Sequence, residues 1–272
     1  MDQVIEAALK EDMPEGDITS ECVIPSGSVS KAIILAKETG ILAGIDVAAR
    51  VFAKIDPRTR FEKIFKDGRA FEPHDILARV RGNSISLLKG ERTALNFLQR
   101  MSGIATRTGH FVEAVRGTGT KILDTRKTTP TLRFLEKYAV KMGGGENHRS
   151  SLSDMVLLKD NHLRLVGSVT EAVQMARAKI KPGMKIEVEV TNFDEAKEAV
   201  EAGASMIMLD NMSLMKMREV IGWVRRRVPV EVSGKVTLRR ARQIASLGVD
   251  YVSVGSLTHS FASVDISMEF IN

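Results

Sequence analysis

Hydrophobic and polar positions along this chain follow two different rhythms. Over the first hundred residues they mix. Val4, Ile5, Ala8 and Leu9 give one face of a short helix. Residues 31–37 (KAIILAK) read as a strand. After Gly40 and Gly44 a helical face runs through Ala48, Ala49, Val51 and Phe52, and two more strands are expected at 61–65 and 76–80. From Glu91 a strong helical pattern runs through Ala94, Leu95, Leu98 and Met101, with an interruption expected at Gly103 before it resumes through Phe111, Val112 and Val115.

Beyond residue 118 the rhythm becomes regular. Strand-like runs are expected at 121–124 and 155–159, then at 186–190, 206–210, 230–233 and 251–254. Helical stretches at 194–202, 214–226 and 238–247 separate the later ones, and Gly203 and Gly248 stand where helix C-caps belong. Strand–helix alternation of this kind predicts parallel βα units, closed into a barrel or wound into an open sheet.

Composition narrows the class without naming a function. A length of 272 residues with 43% hydrophobic and 27% charged residues suits a folded chain with a sizeable core rather than a disordered one. The formal charge of +6 suits anionic ligands or nucleic acid. Aromatics are only 5% and no nucleic-acid-binding motif occurs, so nucleic acid is not the expected partner. Cys22 is the single cysteine, which excludes an intramolecular disulfide. No signal peptide and no apolar run of about 18 residues occurs, so the expectation is a soluble cytoplasmic protein without a membrane span. Walker A, G-x-G-x-x-G, H-E-x-x-H and G-x-S-x-G motifs are absent.

The candidate chemistry lies where the strands end. The first regular strand ends in Asp124-Thr125-Arg126-Lys127, the second in Lys159-Asp160-Asn161-His162. The next carries Glu187 and Glu189, then come Asp210-Asn211, Ser233-Gly234-Lys235 and Gly255-Ser256. In (β/α) barrels the C-terminal strand ends and their loops build the active site. The early ends supply cations and the later ones carboxylates, then small residues that let backbone N–H groups approach a phosphate. Guanidinium groups pair with carboxylates in a bidentate manner, and two carboxylates on neighbouring strand ends suit a Mg²⁺ that keeps much of its water. The pocket is therefore expected to take two anions, one carboxylated and one phosphorylated.

Ten stretches in order resemble one family: EDMPEGDIT (11–19), GILAG (40–44), ERTALNFLQRMSGIAT (91–106), DTRKTTP (124–130), KYAV (137–140), GGGENHR (143–149), KDNH (159–162), EVEV (187–190), LDN (209–211) and VGSLTHS (254–260). The chain is identified by them as resembling the quinolinate phosphoribosyltransferases, the carboxylating nicotinate-nucleotide pyrophosphorylases. The resemblance implies an α/β fold: an N-terminal α/β sandwich domain (1–104, with the tail at about 259–272) and a partly open seven-stranded TIM-like α/β barrel (105–258). It implies transfer of a phosphoribosyl group from phosphoribosyl pyrophosphate to quinolinate, with Mg²⁺, giving nicotinate mononucleotide, pyrophosphate and CO₂ for NAD synthesis. It also implies a homodimer, with the possibility of higher assembly, in which Arg92 reaches the neighbouring subunit's site.

Carried over residue by residue, Arg126 and Arg149 resemble the main binders of the quinolinate carboxylates, with Thr125 and His148 in the same pocket. Lys127 and Lys159 are implied between the two substrates. Glu189 and Asp210 match the acidic pair that handles the ribose hydroxyls and Mg²⁺. Ser233, Gly234 and Gly255-Ser256 match the phosphate-binding strand ends, and Lys235 and Val254 beside them are expected to bind substrate as well. The choice of Glu189 over Glu187 rests on the family's spacing, because alternation puts both on one face. Lys235 and Thr131 stand where the family more often has glycine. His162 is read as a cap or brace, and Arg239, Arg240 and Arg242 as an exposed helix face. The nearest rival substrate is nicotinate itself.

Overall fold

The computed structural model describes residues 1–271. In chain order the elements begin α1 (Asp2–Asp12), α2 (Ile18–Val23), β1 (Val29–Ala36), β2 (Gly40–Ile41), α3 (Ile45–Ile55), β3 (Arg60–Lys63), β4 (Ala70–Phe71), β5 (Ile76–Asn83) and α4 (Ser84–Ala114). They continue β6 (Lys121–Leu123), α5 (Arg133–Met142), β7 (Val156–Leu158), α6 (Asp160–Val166), α7 (Val169–Lys179), β8 (Ile186–Val190), α8 (Phe193–Glu201) and β9 (Met206–Asp210). The chain ends with α9 (Leu214–Val224), β10 (Val230–Ser233), α10 (Leu238–Ala245), β11 (Tyr251–Ser253), α11 (Ser256–His259) and β12 (Ile266–Ile271). Two compact units result: Met1–Gly109 with Thr128–Gly144 and the tail from Thr258, and His110–Lys127 with Gly145–Leu257.

The first unit is built on an antiparallel sheet in the order β12-β1-β5-β3. Alternation along β1 buries Ala32, Ile34 and Ala36 and leaves Lys31 in solvent. Helix α3 buries Ile45, Ala48, Val51 and Phe52 at helical spacing. Helix α4 is continuous for 31 residues, so the interruption expected at Gly103 does not occur. Gly103 serves packing instead: a Cβ there would lie 2.1 Å from the Ala262 carbonyl oxygen. The tail crosses the helix at this glycine, and the Val264 N–H donates to Gln99 O at 3.2 Å.

The second unit is a parallel sheet in the order β6-β11-β10-β9-β8-β7, with helices between successive strands, a TIM-like arrangement. Six strands form, not the seven expected. The seventh position is reduced to one parallel bridge between Leu123 and Glu146. Gly143, Gly144 and Gly145 precede it and supply no side chains to stabilise a longer strand. Four helices start on side-chain caps that accept a backbone N–H three residues on: Ser168, Asn192, Ser213 and Thr237. Gly203 (φ 90°) and Gly248 (φ 81°) close helices in the left-handed conformation. These caps fix where each helix begins, and so how far each strand-end loop projects.

Candidate active site

A cavity of about 570 Å³ opens at the C-terminal strand ends of the second unit. Eleven of the fifteen residues expected from sequence line it: Thr125, Arg126 and Lys127 after β6; His148, Arg149 and Lys159; and Glu189, Asp210, Ser233, Gly234 and Lys235. The other four do not. Val254 is buried and its N–H donates to Leu123 O at 2.9 Å, so it anchors the sheet. Gly255 and Ser256 follow β11 and open α11. Arg92 lies exposed on α4.

Asp124 is fully buried and accepts the His148 N–H on Oδ1 at 2.9 Å. It thereby ties the loop carrying His148 and Arg149 to the end of β6. Arg149 donates from Nη1 to Met155 O at 3.1 Å. Its pKa is lowered by burial and then by the charge of Arg126. Two guanidinium groups thus line the cavity within range of each other's charge, which favours a ligand bringing more than one negative charge.

The acidic side differs from the two-carboxylate picture read from sequence. Glu189 has its side chain 11% exposed and pairs with Lys159 Nζ. Lysine and glutamate therefore partly neutralise each other, and Lys159 is not a solitary cation. Asp210 accepts from Asn211 Nδ2 at 2.6 Å. Each carboxylate keeps its other oxygen for a ligand. Two oxygen donors on neighbouring strands fit a hydrated Mg²⁺ that takes its remaining ligands from phosphate.

Glu187 sits two residues below Glu189, fully buried. Glu231 sits two below Ser233, also fully buried, and was not singled out by sequence reasoning. Both carboxyls are pushed above the usual carboxylate range, chiefly by burial; the Glu187 charge adds to the rise at Glu231, whereas Arg149 and Lys159 oppose it at Glu187. The available signal was alternation in Val230-Glu231-Val232-Ser233, which puts Glu231 on the face of Ser233. Leu157, Met208 and Ser253 also line the cavity without having been expected, and so does Asn211 from the expected Asp210-Asn211 strand end. His162 caps α6: its Nδ1 accepts the Lys159 N–H at 2.9 Å. Arg240 is more than surface charge, since it donates to Met212 O at 2.8 Å and braces the loop after Asp210.

Fold and site together define a barrel enzyme whose strand-end pocket receives two anionic substrates. The C-terminal domain of quinolinate phosphoribosyl transferase matches residues 104–269, and its N-terminal domain matches 17–102. A probable carboxylating nicotinate-nucleotide pyrophosphorylase of Archaeoglobus fulgidus is 42% identical over 95% of this chain and 100% of the relative. One of Synechocystis is 40% identical over 100% of this chain and 92% of the relative. The crystal structure of NadC from Streptococcus pyogenes superposes with a TM-score of 0.96 at 43% identity, covering 100% of this chain and 97% of that one. This chain belongs to the quinolinate phosphoribosyltransferase family.

Proposed function

We propose that this protein converts quinolinate and phosphoribosyl pyrophosphate to nicotinate mononucleotide, pyrophosphate and CO₂, a step of de novo NAD synthesis. The observation that carries the substrate assignment is that Arg126 and Arg149 both line the cavity, within range of each other's charge. A ring with two carboxylates can engage two guanidiniums, whereas a monocarboxylate engages only one of them.

The chemistry uses these residues in order. Arg126 and Arg149 hold the ring by its carboxylates, so that the pyridine nitrogen faces the anomeric carbon of the ribose. That nitrogen forms the new C–N bond as the C–O bond to pyrophosphate breaks. Glu189 and Asp210 lie beside the ribose and favour its cationic character in the transition state. Bound Mg²⁺ supplies neutralisation of the pyrophosphate charge. Ser233, Gly234 and Lys235, which line the cavity, are the phosphate side of this reading, and Gly255 and Ser256 follow the adjacent strand β11. The nitrogen is now a pyridinium. The C–C bond to the adjacent carboxylate then breaks, CO₂ leaves, and the electron pair beside N⁺ takes a proton from water. Lys127 and Lys159 steer the ring carboxylates through this step without forming a covalent bond.

The dimer belongs to the same proposal. Arg92, exposed on α4, enters the neighbouring subunit's cavity, and the assembly works in the cytoplasm. Among the described residues no helix is long and apolar enough to cross a membrane. Mixing inactive Arg92→Ala and Lys159→Met proteins tests the shared site: heterodimers regain one intact site and activity returns. No recovery, with subunit exchange verified, refutes the shared site.

Turnover of quinolinate and of nicotinate with phosphoribosyl pyrophosphate and Mg²⁺ tests the substrate. We expect quinolinate to be used at least ~100-fold more efficiently, as for a site that loses a charge-assisted hydrogen bond with the wrong ligand. Preference for nicotinate contradicts the assignment.

A further inference from the structure

We propose that Glu187 and Glu231 are positioning residues: from the barrel floor Glu187 accepts the His148 Nε2 hydrogen, Glu231 stands beside it within ion-pair reach, and through that ring they set the main chain that carries Arg149. The proposal rests on the functional reading above only in taking Arg149 as a binder of the ring carboxylates.

The interior of a parallel barrel is ordinarily filled by branched aliphatic side chains. Here two of its positions hold glutamates with no solvent exposure. A buried carboxyl is costly unless something satisfies it. Apolar residues would fill the same positions without that cost, so the pair calls for a local reason. His148 supplies one. Its Nε2 lies 3.0 Å from Glu187 Oε2 and 3.4 Å from Glu231 Oε2, and its side chain is 8% exposed.

The other edge of the ring decides which nitrogen carries hydrogen. His148 Nδ1 accepts the backbone N–H of Arg149 at 2.7 Å. A main-chain amide is always the donor, so Nδ1 is the acceptor and Nε2 presents hydrogen to the carboxyls. Both ring nitrogens are then spent inside the protein. His148 lines the cavity, yet in this arrangement neither nitrogen donates to a substrate carboxylate. It works as a strut from the barrel floor to the loop. Together with the Asp124 contact to its own N–H, it pins residues 148 and 149 from two sides. Arg149 then leaves a fixed main-chain position toward Met155 and the cavity.

The same three side chains also admit a different occupant. One candidate ligand atom from each of His148, Glu187 and Glu231 lies within 4.8 Å of the others. Glu187 Oε1 and both Glu231 oxygens have no hydrogen-bond partner among the described residues. A cation in place of the Nε2 hydrogen would make this a metal site and end the positioning argument.

Two measurements on the full-length enzyme decide the matter. The first is steady-state kinetics of Glu187→Leu, Glu187→Gln, Glu231→Leu and Glu231→Gln. Leucine at either position is expected to raise KM for quinolinate ~10-fold or more and to leave KM for phosphoribosyl pyrophosphate within ~2-fold. Glutamine, which still accepts from Nε2, is expected to recover most of the loss. Equal effects on both KM values, or no recovery by glutamine, mean a merely structural role and overturn the proposal. The second is ¹⁵N NMR of histidine-labelled wild-type enzyme, with His148 assigned by His148→Asn. We expect a protonated Nε2 and an acceptor Nδ1, unchanged by a chelator. Hydrogen on Nδ1, or a chelator-sensitive Nε2, overturns the proposal even where the variants fail to fold. Wild-type enzyme inactive on quinolinate would instead refute the functional reading, with the histidine measurement still deciding this one.

Discussion

Asn211 (φ 52°), Gly234 (φ 101°) and Lys235 (φ 47°) all take left-handed backbone beside the cavity. Gly234 has no alternative, because a Cβ there would lie 2.3 Å from Asn211 Oδ1. Gly234→Ala must displace Asn211, whose amide holds Asp210. We expect kcat/KM for phosphoribosyl pyrophosphate to fall ~10-fold or more, equivalent to about 1.4 kcal/mol of transition-state stabilisation. Unchanged steady-state kinetics in that variant would contradict the Asn211–Asp210 linkage. Lys235 and Thr131 (φ 69°) explain a departure noted in the sequence, since both stand where the family more often has glycine. A non-glycine residue there is strained, and a β-branched one most of all. Thr131→Gly is expected to stabilise the protein by about 1 kcal/mol, read from the denaturant midpoint. For Lys235→Gly the relieved strain should likewise raise stability, while KM for phosphoribosyl pyrophosphate rises if the amine binds phosphate.

At the scale of elements, α4 depends on Gly103. Gly103→Ala drives a methyl into the Ala262 carbonyl and is expected to cost about 1–3 kcal/mol, the usual range for overpacking, measurable by urea unfolding. A cost near zero would mean that the tail shifts freely. Gly103 also marks where sequence reading stopped. Glycine weakens a helical pattern on propensity alone, and only the tail some 160 residues later explains its presence. The strands β8, β9 and β10 were legible because apolar runs bounded by polar ends carry their own signal. Helix α5 was not, because its stability comes from tertiary contacts. Its Glu136 is fully buried, pairing with Arg100 at 2.5 Å and accepting the Thr129 N–H at 3.1 Å. A seventh strand was expected from the family, and beside the local glycines only a single bridge forms there. In the site, charge type and strand-end position were readable for Arg126, Arg149, Glu189 and Asp210. The Lys159–Glu189 pair, the Asp124 anchor and the Glu231 floor were not, because each joins residues on different strands.

At the scale of the whole molecule, the barrel floor links stability to pH. Burial raises the Glu231 pKa in the folded state. Folding therefore keeps a proton that the unfolded chain releases above about pH 4.3. The folded state binds more protons, so stability falls as pH rises from that value through the raised one. Glu231→Gln removes this dependence. Its unfolding free energy should decline less than wild type between mildly acid and mildly alkaline pH, and a parallel decline would place the pH sensitivity elsewhere.

The strand-end cavity is expected to carry a decarboxylating phosphoribosyl transfer to quinolinate. Release of labelled CO₂ from quinolinate labelled in the carboxyl next to the ring nitrogen tests it most directly. Release is expected only when phosphoribosyl pyrophosphate and Mg²⁺ are both present, one CO₂ for each pyrophosphate formed, with Arg149→Met slowed ~100-fold or more. CO₂ release without phosphoribosyl pyrophosphate, pyrophosphate formation without CO₂, or full activity in Arg149→Met would contradict it.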